Sequence, residues 1–286
     1  VRPFIEVQGL QHVYRLEGGE EIAALRGVDL TIGRGEFVAL IGANGSGKST
    51  LARHFNALLL PTSGEVWVDG LSTTDPGNLW EVRSRVGMVF QNPENQLVAS
   101  TVEEDVAFGP ENWALPPAEI EVRVDEALQV VGLEDDRTTP PQMLSGGQKQ
   151  LVAIAGALAV RPTSIVFDEP TSMLDPRGRR HVMETIRRLN AEEGLTVVLI
   201  TQSMEEAAAA DRILVMHAGR IMMDGRPREV FEEHAQLETF GLGLPPMAEI
   251  ARRLRKRGMR LRPGLLTAQE LTSALASGLR EKSAQC

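Results

Sequence analysis

Phe37-Val-Ala-Leu-Ile41 and the nine residues behind it, Gly42-Ala-Asn44-Gly45-Ser46-Gly47-Lys48-Ser49-Thr50, decide how the rest of the chain is read. The first five are apolar without interruption, which suits a short strand buried on both faces. The nine that follow match the spacing G-x-x-x-x-G-K-[ST] and lead into a helical stretch from Leu51. Such a loop must curl its backbone N–H groups around phosphate oxygens, in conformations and at approaches that a Cβ would obstruct. Gly42, Asn44, Gly45, Ser46, Gly47, Lys48, Ser49 and Thr50 are therefore candidate ATP-binding residues. Lys48 would neutralise β- and γ-phosphate charge, and Ser49 would offer a hydroxyl to Mg2+.

Further apolar runs alternate with helical patterns on the C-terminal side: Ser164–Phe167, Leu195–Ile200 and Ile213–Met216. Parallel strands joined by crossover helices explain that alternation, so the fold class is α/β. Phe4–Val7, Val28–Ile32 and Glu65–Val68 alternate in polarity and read as antiparallel strands with one wet face. From about Asn92 to Val160 strand signals disappear, and an inserted helical subdomain (92–160) is expected. At the end of the run that begins at Ser164 stand Asp168 and Glu169. Two adjacent carboxylates after a buried strand are costly unless a cation or a reaction uses them. Asp168 is placed to hold Mg2+ through water, and Glu169 to polarise an attacking water. Tyr14, the single tyrosine, precedes the loop by an interval that lets its ring stack on adenine; a plain packing role competes.

Composition excludes several classes. The net charge of -9, from 39 acidic and 30 basic residues in 286, argues against wrapping a nucleic-acid backbone. The longest apolar-and-glycine run is the ten residues Leu151–Val160, short of the roughly 18 to 20 that cross a bilayer. The one cysteine, Cys286, excludes an internal disulfide and favours a reducing compartment, with cytosolic residence the default. His12, His54, His181, His217 and His234 lack metal-ligand spacing and read as structural or surface groups, and the ten methionines as core and groove filler.

The charge is uneven. Met247–Cys286 carries nine basic and three acidic residues and is +6, leaving -15 for the first 246. The shift opens at Gly241-Leu-Gly-Leu-Pro-Pro246, so a linker and a small helical extension (241–286) are expected after a main domain of 1–240. Met247, Ile250 and Leu254 fall on one helical face. Thr267-x-x-Glu270 is a capping box before Leu271, Leu275 and Leu279.

Leu144-Ser145-Gly146-Gly147-Gln148, followed by a helix-like run, resembles the signature motif of ABC transporter ATPases. That resemblance implies a P-loop NTPase (RecA-like) core with an antiparallel β subdomain and the inserted helices. It also implies that two chains sandwich two nucleotides, Ser145, Gly146, Gly147 and Gln148 of one facing the γ-phosphate held by the other. Gln91 in Val89-Phe-Gln91 resembles the Q-loop glutamine, which implies a catalytic and metal-binding role for it; Ser172-Met-Leu-Asp175 resembles the D-loop. The blocks Val89–Gln96, Val102–Asn112 and Gly146–Gly156, with the tail from Gly241, resemble the ATPase components of energy-coupling factor (ECF) transporters, including cobalt and nickel uptake ATPases. The tail looks like the C-terminal extension of the first A component. By this likeness the chain pairs with a second A subunit or a copy of itself. It docks on a membrane T component at the cytoplasmic face, while an S component selects a vitamin or metal ion.

Two positions depart from the family pattern. Gln202 follows Thr196–Thr201 where a switch histidine is usual; it can donate a hydrogen bond but cannot become cationic. Own-site hydrolysis is therefore expected to be weakened, and an ATP-binding regulatory subunit whose partner turns over is the alternative. A soluble DNA-repair or translation ABC protein would need coiled-coil inserts or tandem cassettes, which 286 residues do not hold. Leu151 stands where an arginine usually follows the signature. Glu103, Glu104 and Asp105 after Thr101 read either as favourable helix-start charge or as an acidic lip for the T component.

Overall fold

A computed structural model describes residues 2–283, with side chains placed through residue 277. Cys286 lies outside the described residues, as do the side chains of Leu279, Arg280, Glu281 and Lys282. The elements follow the chain as β1 (Ile5–Arg15), β2 (Glu21–Ile32), β3 (Phe37–Ile41), α1 (Lys48–Phe55), β4 (Ser63–Val68), β5 (Leu71–Ser72), α2 (Leu79–Arg85) and β6 (Val86–Val89). Next come α3 (Val102–Asn112), α4 (Pro117–Val131) and α5 (Gly146–Ala159), then β7 (Ser164–Asp168), α6 (Pro176–Glu193), β8 (Thr196–Ile200), α7 (Met204–Ala207), β9 (Arg212–His217) and β10 (Arg220–Gly225). The chain closes on α8 (Pro227–Glu232), α9 (His234–Thr239), α10 (Pro246–Lys256) and α11 (Ala268–Ser283).

The central sheet has the order β10-β9-β3-β8-β7-β6, parallel except for β10 at one edge. Successive side chains of a strand point to opposite faces, and each face of this sheet feeds its own core. Val38, Leu40, Val166, Val198, Ile200, Leu214 and Met216 pack with α1 and the antiparallel sheet β2-β1-β4-β5. Ala39, Ile41, Ile165, Phe167, Val197, Leu199, Ile213 and Val215 pack with α3 to α6. Continuous apolar runs are what burial on both faces demands. The strands read from the sequence are all present; β5, β6 and β10 were missed, β5 being only two residues long. β6 is a four-residue edge strand with a glycine inside it, and β10 alternates exposed and half-buried positions without an apolar run.

The stretch 92–160 contains no strand and carries α3, α4 and α5. Past α9 the expected linker is seated rather than free: Phe240 and Leu242 are buried in the main core and Leu244 packs against it. The tail has a small core of its own, built from Ala251, Leu261, Leu265 and Leu271 with Met247, Leu254 and Leu275 beside them. Ile250 corrects the predicted face. It is exposed, because the buried stripe of α10 runs through Ala248 and Ala251. Thr267 and Glu270 form the expected box, each accepting from the other's backbone N–H (3.2 and 3.1 Å).

Candidate functional site

The loop from Gly42 to Lys48 joins β3 to α1 and passes close to its neighbours. A Cβ on Gly42 would run into the Met216 carbonyl and the Ser46 hydroxyl, and one on Gly47 would lie 2.7 Å from the Ala24 carbonyl. Glycine at these positions is a steric requirement. Lys48 is buried and donates to the carbonyls of Gly42 (2.8 Å) and Ala43 (3.0 Å). Burial pushes its pKa down, against the opposing pull of Glu169 and Asp168. Ser49 Oγ donates to Asp168 Oδ1 at 3.0 Å. Burial raises the Asp168 carboxyl above the usual range, and the Ser49 bond opposes that rise. Ser46 Oγ is buried with no hydrogen-bond partner among the described residues. An orphaned buried hydroxyl costs free energy until something satisfies it. A buried cation, an orphaned hydroxyl and a tight backbone cradle fit a phosphate chain. The Ser49 hydroxyl and Asp168 carboxylate are the hard oxygens Mg2+ prefers.

Glu169 follows the last residue of β7 with φ +51°, a left-handed conformation that costs a non-glycine residue about 1–3 kcal/mol. Its N–H donates to the Ile200 carbonyl at 3.0 Å. Two amides bracket its carboxylate. Gln202 Nε2 donates to Oε1 at 2.6 Å and also to Asn44 Oδ1 at 3.0 Å. Gln91 Nε2 donates to Oε2 at 3.4 Å and to Ser172 Oγ at 3.1 Å. These bonds use the Gln91 nitrogen and leave its oxygen for a cation. Asn44, Gln91, Glu169 and Gln202 thus converge from loops at the carboxyl ends of β3, β6, β7 and β8, where open α/β sheets bind ligands.

Sequence reasoning missed Glu206. This buried carboxylate on α7 accepts hydrogen bonds from Thr171 Oγ1 and Thr201 Oγ1, both at 2.6 Å, with Arg179 4.0 Å away. Thr171 lies two residues past Glu169 and Thr201 one before Gln202, so one side chain staples the two loops that face each other across the site. A cavity of about 370 Å³ opens there, lined by Glu169, Gln202 and these stapling residues. No spacing rule connects residues 35 and 5 positions apart through one carboxylate. In the sequence Glu206 is one of two adjacent glutamates in the first turn of α7, which read as ordinary helix-start charge.

Tyr14 is half-buried beside α1, its hydroxyl 3.2 Å from Thr50 Oγ1. Ser145, Gly146, Gly147 and Gln148 lie apart from this cluster. Ser145 caps α5, accepting from Gln148 N–H at 3.4 Å while Gln148 Oε1 accepts from Ser145 N–H at 3.1 Å. The starts of α5 and α6 touch: a Cβ on Gly147 would lie 3.0 Å from Gly178 Cα. Among the described residues, none of the four hydrogen-bonds to the phosphate loop. Leu151 is 1% exposed in the main core, so the apolar replacement is used in packing. Met143 and Met173, at 77% and 63% exposed, flank the signature and correct the reading of the methionines as filler. Glu103 pairs with Arg137, Glu104 completes a capping box with Thr101, and Asp105 accepts from the N–H groups of Val98 and Ala99. The acidic start of α3 is thereby occupied with local structure. Among the described residues there is no cluster of His, Cys, Asp and Glu suited to a metal, and no helix long and apolar enough to cross a membrane.

Residues 25–172 match the family model described as ABC transporter. Over 277 residues the chain is 57% identical to the energy-coupling factor transporter ATP-binding protein EcfA1 of Symbiobacterium thermophilum, covering 96% of each. The chain belongs to the ATP-binding proteins of energy-coupling factor ABC transporters. This ATPase is also 49% identical, over 273 residues and 96% of each chain, to the cobalt import ATP-binding protein CbiO of Syntrophus aciditrophicus. Its fold matches cbiO1 of Clostridium perfringens, part of the complex cbiONQ, with TM-score 0.75 and 36% identity over 90% of this chain and 97% of that one. A dimeric ATP-binding cassette carrying ADP and Pi matches with TM-score 0.70 and 35% identity, covering 78% and 99%. The chain is accordingly an ATP-binding, ATP-hydrolysing subunit that energises import. The regulatory-subunit alternative finds no support in these relatives.

Proposed function

We propose that this ATPase closes on Mg·ATP as one half of a two-site dimer and that its opening and closing drives a membrane T component. The observation that carries the reading is the division of the site: Glu169, held between Gln91 and Gln202, faces the phosphate loop, while the Ser145 helix start presents itself elsewhere on the same chain. In a two-fold dimer each signature would complete the opposite site, its helix N-terminus favouring phosphate charge. Lys48 would exchange its two loop carbonyls for β- and γ-phosphate oxygens, and the Ser46 hydroxyl would gain a partner. Mg2+, when bound, would be held by Ser49, Gln91 and Asp168 and would neutralise charge on the phosphate oxygens. Glu169 accepts a proton from the attacking water, and the Gln202 and Gln91 amides hold its carboxylate in place for that transfer.

The partner is a second ECF ATPase or a copy of this chain, seated on the cytoplasmic face of the membrane. The exposed apolar side chains Trp80, Val98 and Phe108, on either side of Gln91, suit contact with a T component. An S component would choose the vitamin or transition-metal ion. The test is Glu169→Gln in the complex reconstituted into vesicles. ATP binding should persist while hydrolysis and solute uptake both fall by at least about a hundredfold. Turnover within threefold of the native complex would overturn the assignment of Glu169.

A further inference from the structure

Two histidines that the proposed chemistry does not use sit behind the nucleotide site. His54, in the last turn of α1, is 0% exposed, and His12 on β1 is 8% exposed. His54 Nδ1 lies 2.7 Å from the Thr50 carbonyl. A carbonyl only accepts, so Nδ1 carries the proton. Burial pushes the His54 pKa down to about 4, which leaves the ring neutral and Nε2 a bare acceptor at neutral pH. His54 Nε2 is 3.2 Å from His12 Nδ1, so His12 Nδ1 must donate; the Leu60 carbonyl, 3.3 Å from the same nitrogen, can share that hydrogen. The proton positions of the pair are fixed by its neighbours.

The pair ends on Tyr14. His12 and Tyr14 are two apart on β1 and share a face; their rings meet edge-to-face at 4.6 Å and 72°. The Tyr14 hydroxyl is 3.2 Å from Thr50 Oγ1, and Thr50 is the residue whose carbonyl anchors His54. The contacts close a loop: Thr50 to His54, His54 to His12, His12 to Tyr14, and Tyr14 back to Thr50. Tyr14 is gripped at its hydroxyl by the end of the phosphate loop and at its ring by a histidine whose orientation that same segment sets. We propose that His12 and His54 are positioning residues for nucleotide binding, holding the Tyr14 ring at a fixed angle and distance from the phosphate loop. The inference rests on Tyr14 stacking on the base. A ring already ordered spares the rotamer freedom that a free one loses on binding, about 0.5–1.5 kcal/mol, or roughly 2- to 12-fold in affinity.

The experiment measures Kd by calorimetry for ATP and for inorganic tripolyphosphate, which has no base, on the native full-length chain and on Tyr14→Ala, His12→Ala, His54→Leu and the double variant Tyr14→Ala/His54→Leu. His12→Ala, at the rim, keeps the test open if the buried His54→Leu fails to fold. Expected results are a 2- to 12-fold weaker ATP Kd in each histidine variant, unchanged tripolyphosphate binding, and no further ATP loss when His54→Leu is added to Tyr14→Ala. Equal losses for both ligands would overturn the proposal by making the pair a general support of the loop. An effect of Tyr14→Ala without one from either histidine would overturn the relay and leave stacking intact. ATP affinity unaffected by Tyr14→Ala would remove the stacking reading and the relay with it.

Discussion

Replacing Gln202 with leucine removes the shorter of the two hydrogen bonds on Glu169. The Gln202 bond is 2.6 Å and the Gln91 bond 3.4 Å, so the carboxylate would be left with a long contact on one oxygen and none on the other. A hydrogen bond to a charged group contributes about 1.5–3 kcal/mol. If that stabilisation is realised only when Glu169 is aligned for proton transfer, kcat falls by roughly 10- to 160-fold. ATP affinity should stay within about threefold, because Gln202 reaches the phosphate loop only through Asn44. Gln202→His separates position from charge: one imidazole N–H can serve Glu169 but not Asn44 as well, whereas a protonated ring adds a cation that glutamine cannot. Where the missing transition-state donor limits this site, Gln202→His raises kcat by up to about 10²–10³-fold. The assay is single-turnover hydrolysis by the assembled complex with the partner's site blocked. Gln202→Leu within threefold of native would refute the alignment argument. A Gln202→His complex no faster than native would refute the view that glutamine weakens this site.

His54 links stability to pH: its folded pKa of about 4 lies below the ordinary 6.5, so the unfolded chain binds the extra proton between those values. Stability from this group is full above pH 6.5 and lost as pH falls towards 4, by up to about 3 kcal/mol; urea melts of native and His54→Leu protein across that window should diverge, the variant being flatter. Glu206→Ala strands two buried threonine hydroxyls and should destabilise the fold by about 2–4 kcal/mol, whereas Glu206→Gln can accept from one hydroxyl and donate to the other and should lose under about half as much, by thermal unfolding. The Asp168 carboxyl is raised by burial, so its charged form burdens the nucleotide-free fold increasingly as pH rises through the folded value. Asp168→Asn should therefore raise the melting temperature of the free chain at neutral pH, by the equivalent of about 0.5–2 kcal/mol, while abolishing Mg-dependent ATP stabilisation. A lower melting point would contradict the burial argument.

Legibility in the sequence followed the range of the physics. β3 and the phosphate loop are legible because a strand buried on both faces needs an unbroken apolar run, and the turn needs glycine where Met216 and Ala24 crowd it. Asp168 and Glu169 are legible for the opposite reason, since charge directly after such a run contradicts burial unless a ligand or reaction uses it. β6 escaped because an edge strand of four residues carries too few side chains for any period to show. It is nevertheless the element that delivers Gln91, which only the family likeness singled out.

The groups that sequence could not reach share one property: their meaning is a distance between segments. Glu206 matters because Thr171 and Thr201 arrive from the ends of two adjacent strands, and the β7–β8 register, pairing Asp168 with Ile200, is what brings those ends level. A slip by one residue would exchange the side chains that the strand sends to the two cores and would also part the two threonines. The same parallel pairing that fills the core therefore sets the separation of Glu169 and Gln202, and the buried carboxylate fixes it. Loosening the staple should consequently lower kcat more than it raises KM for ATP. A Glu206→Gln complex whose KM rises while kcat holds would show instead that the staple supports the phosphate loop rather than the attacking water.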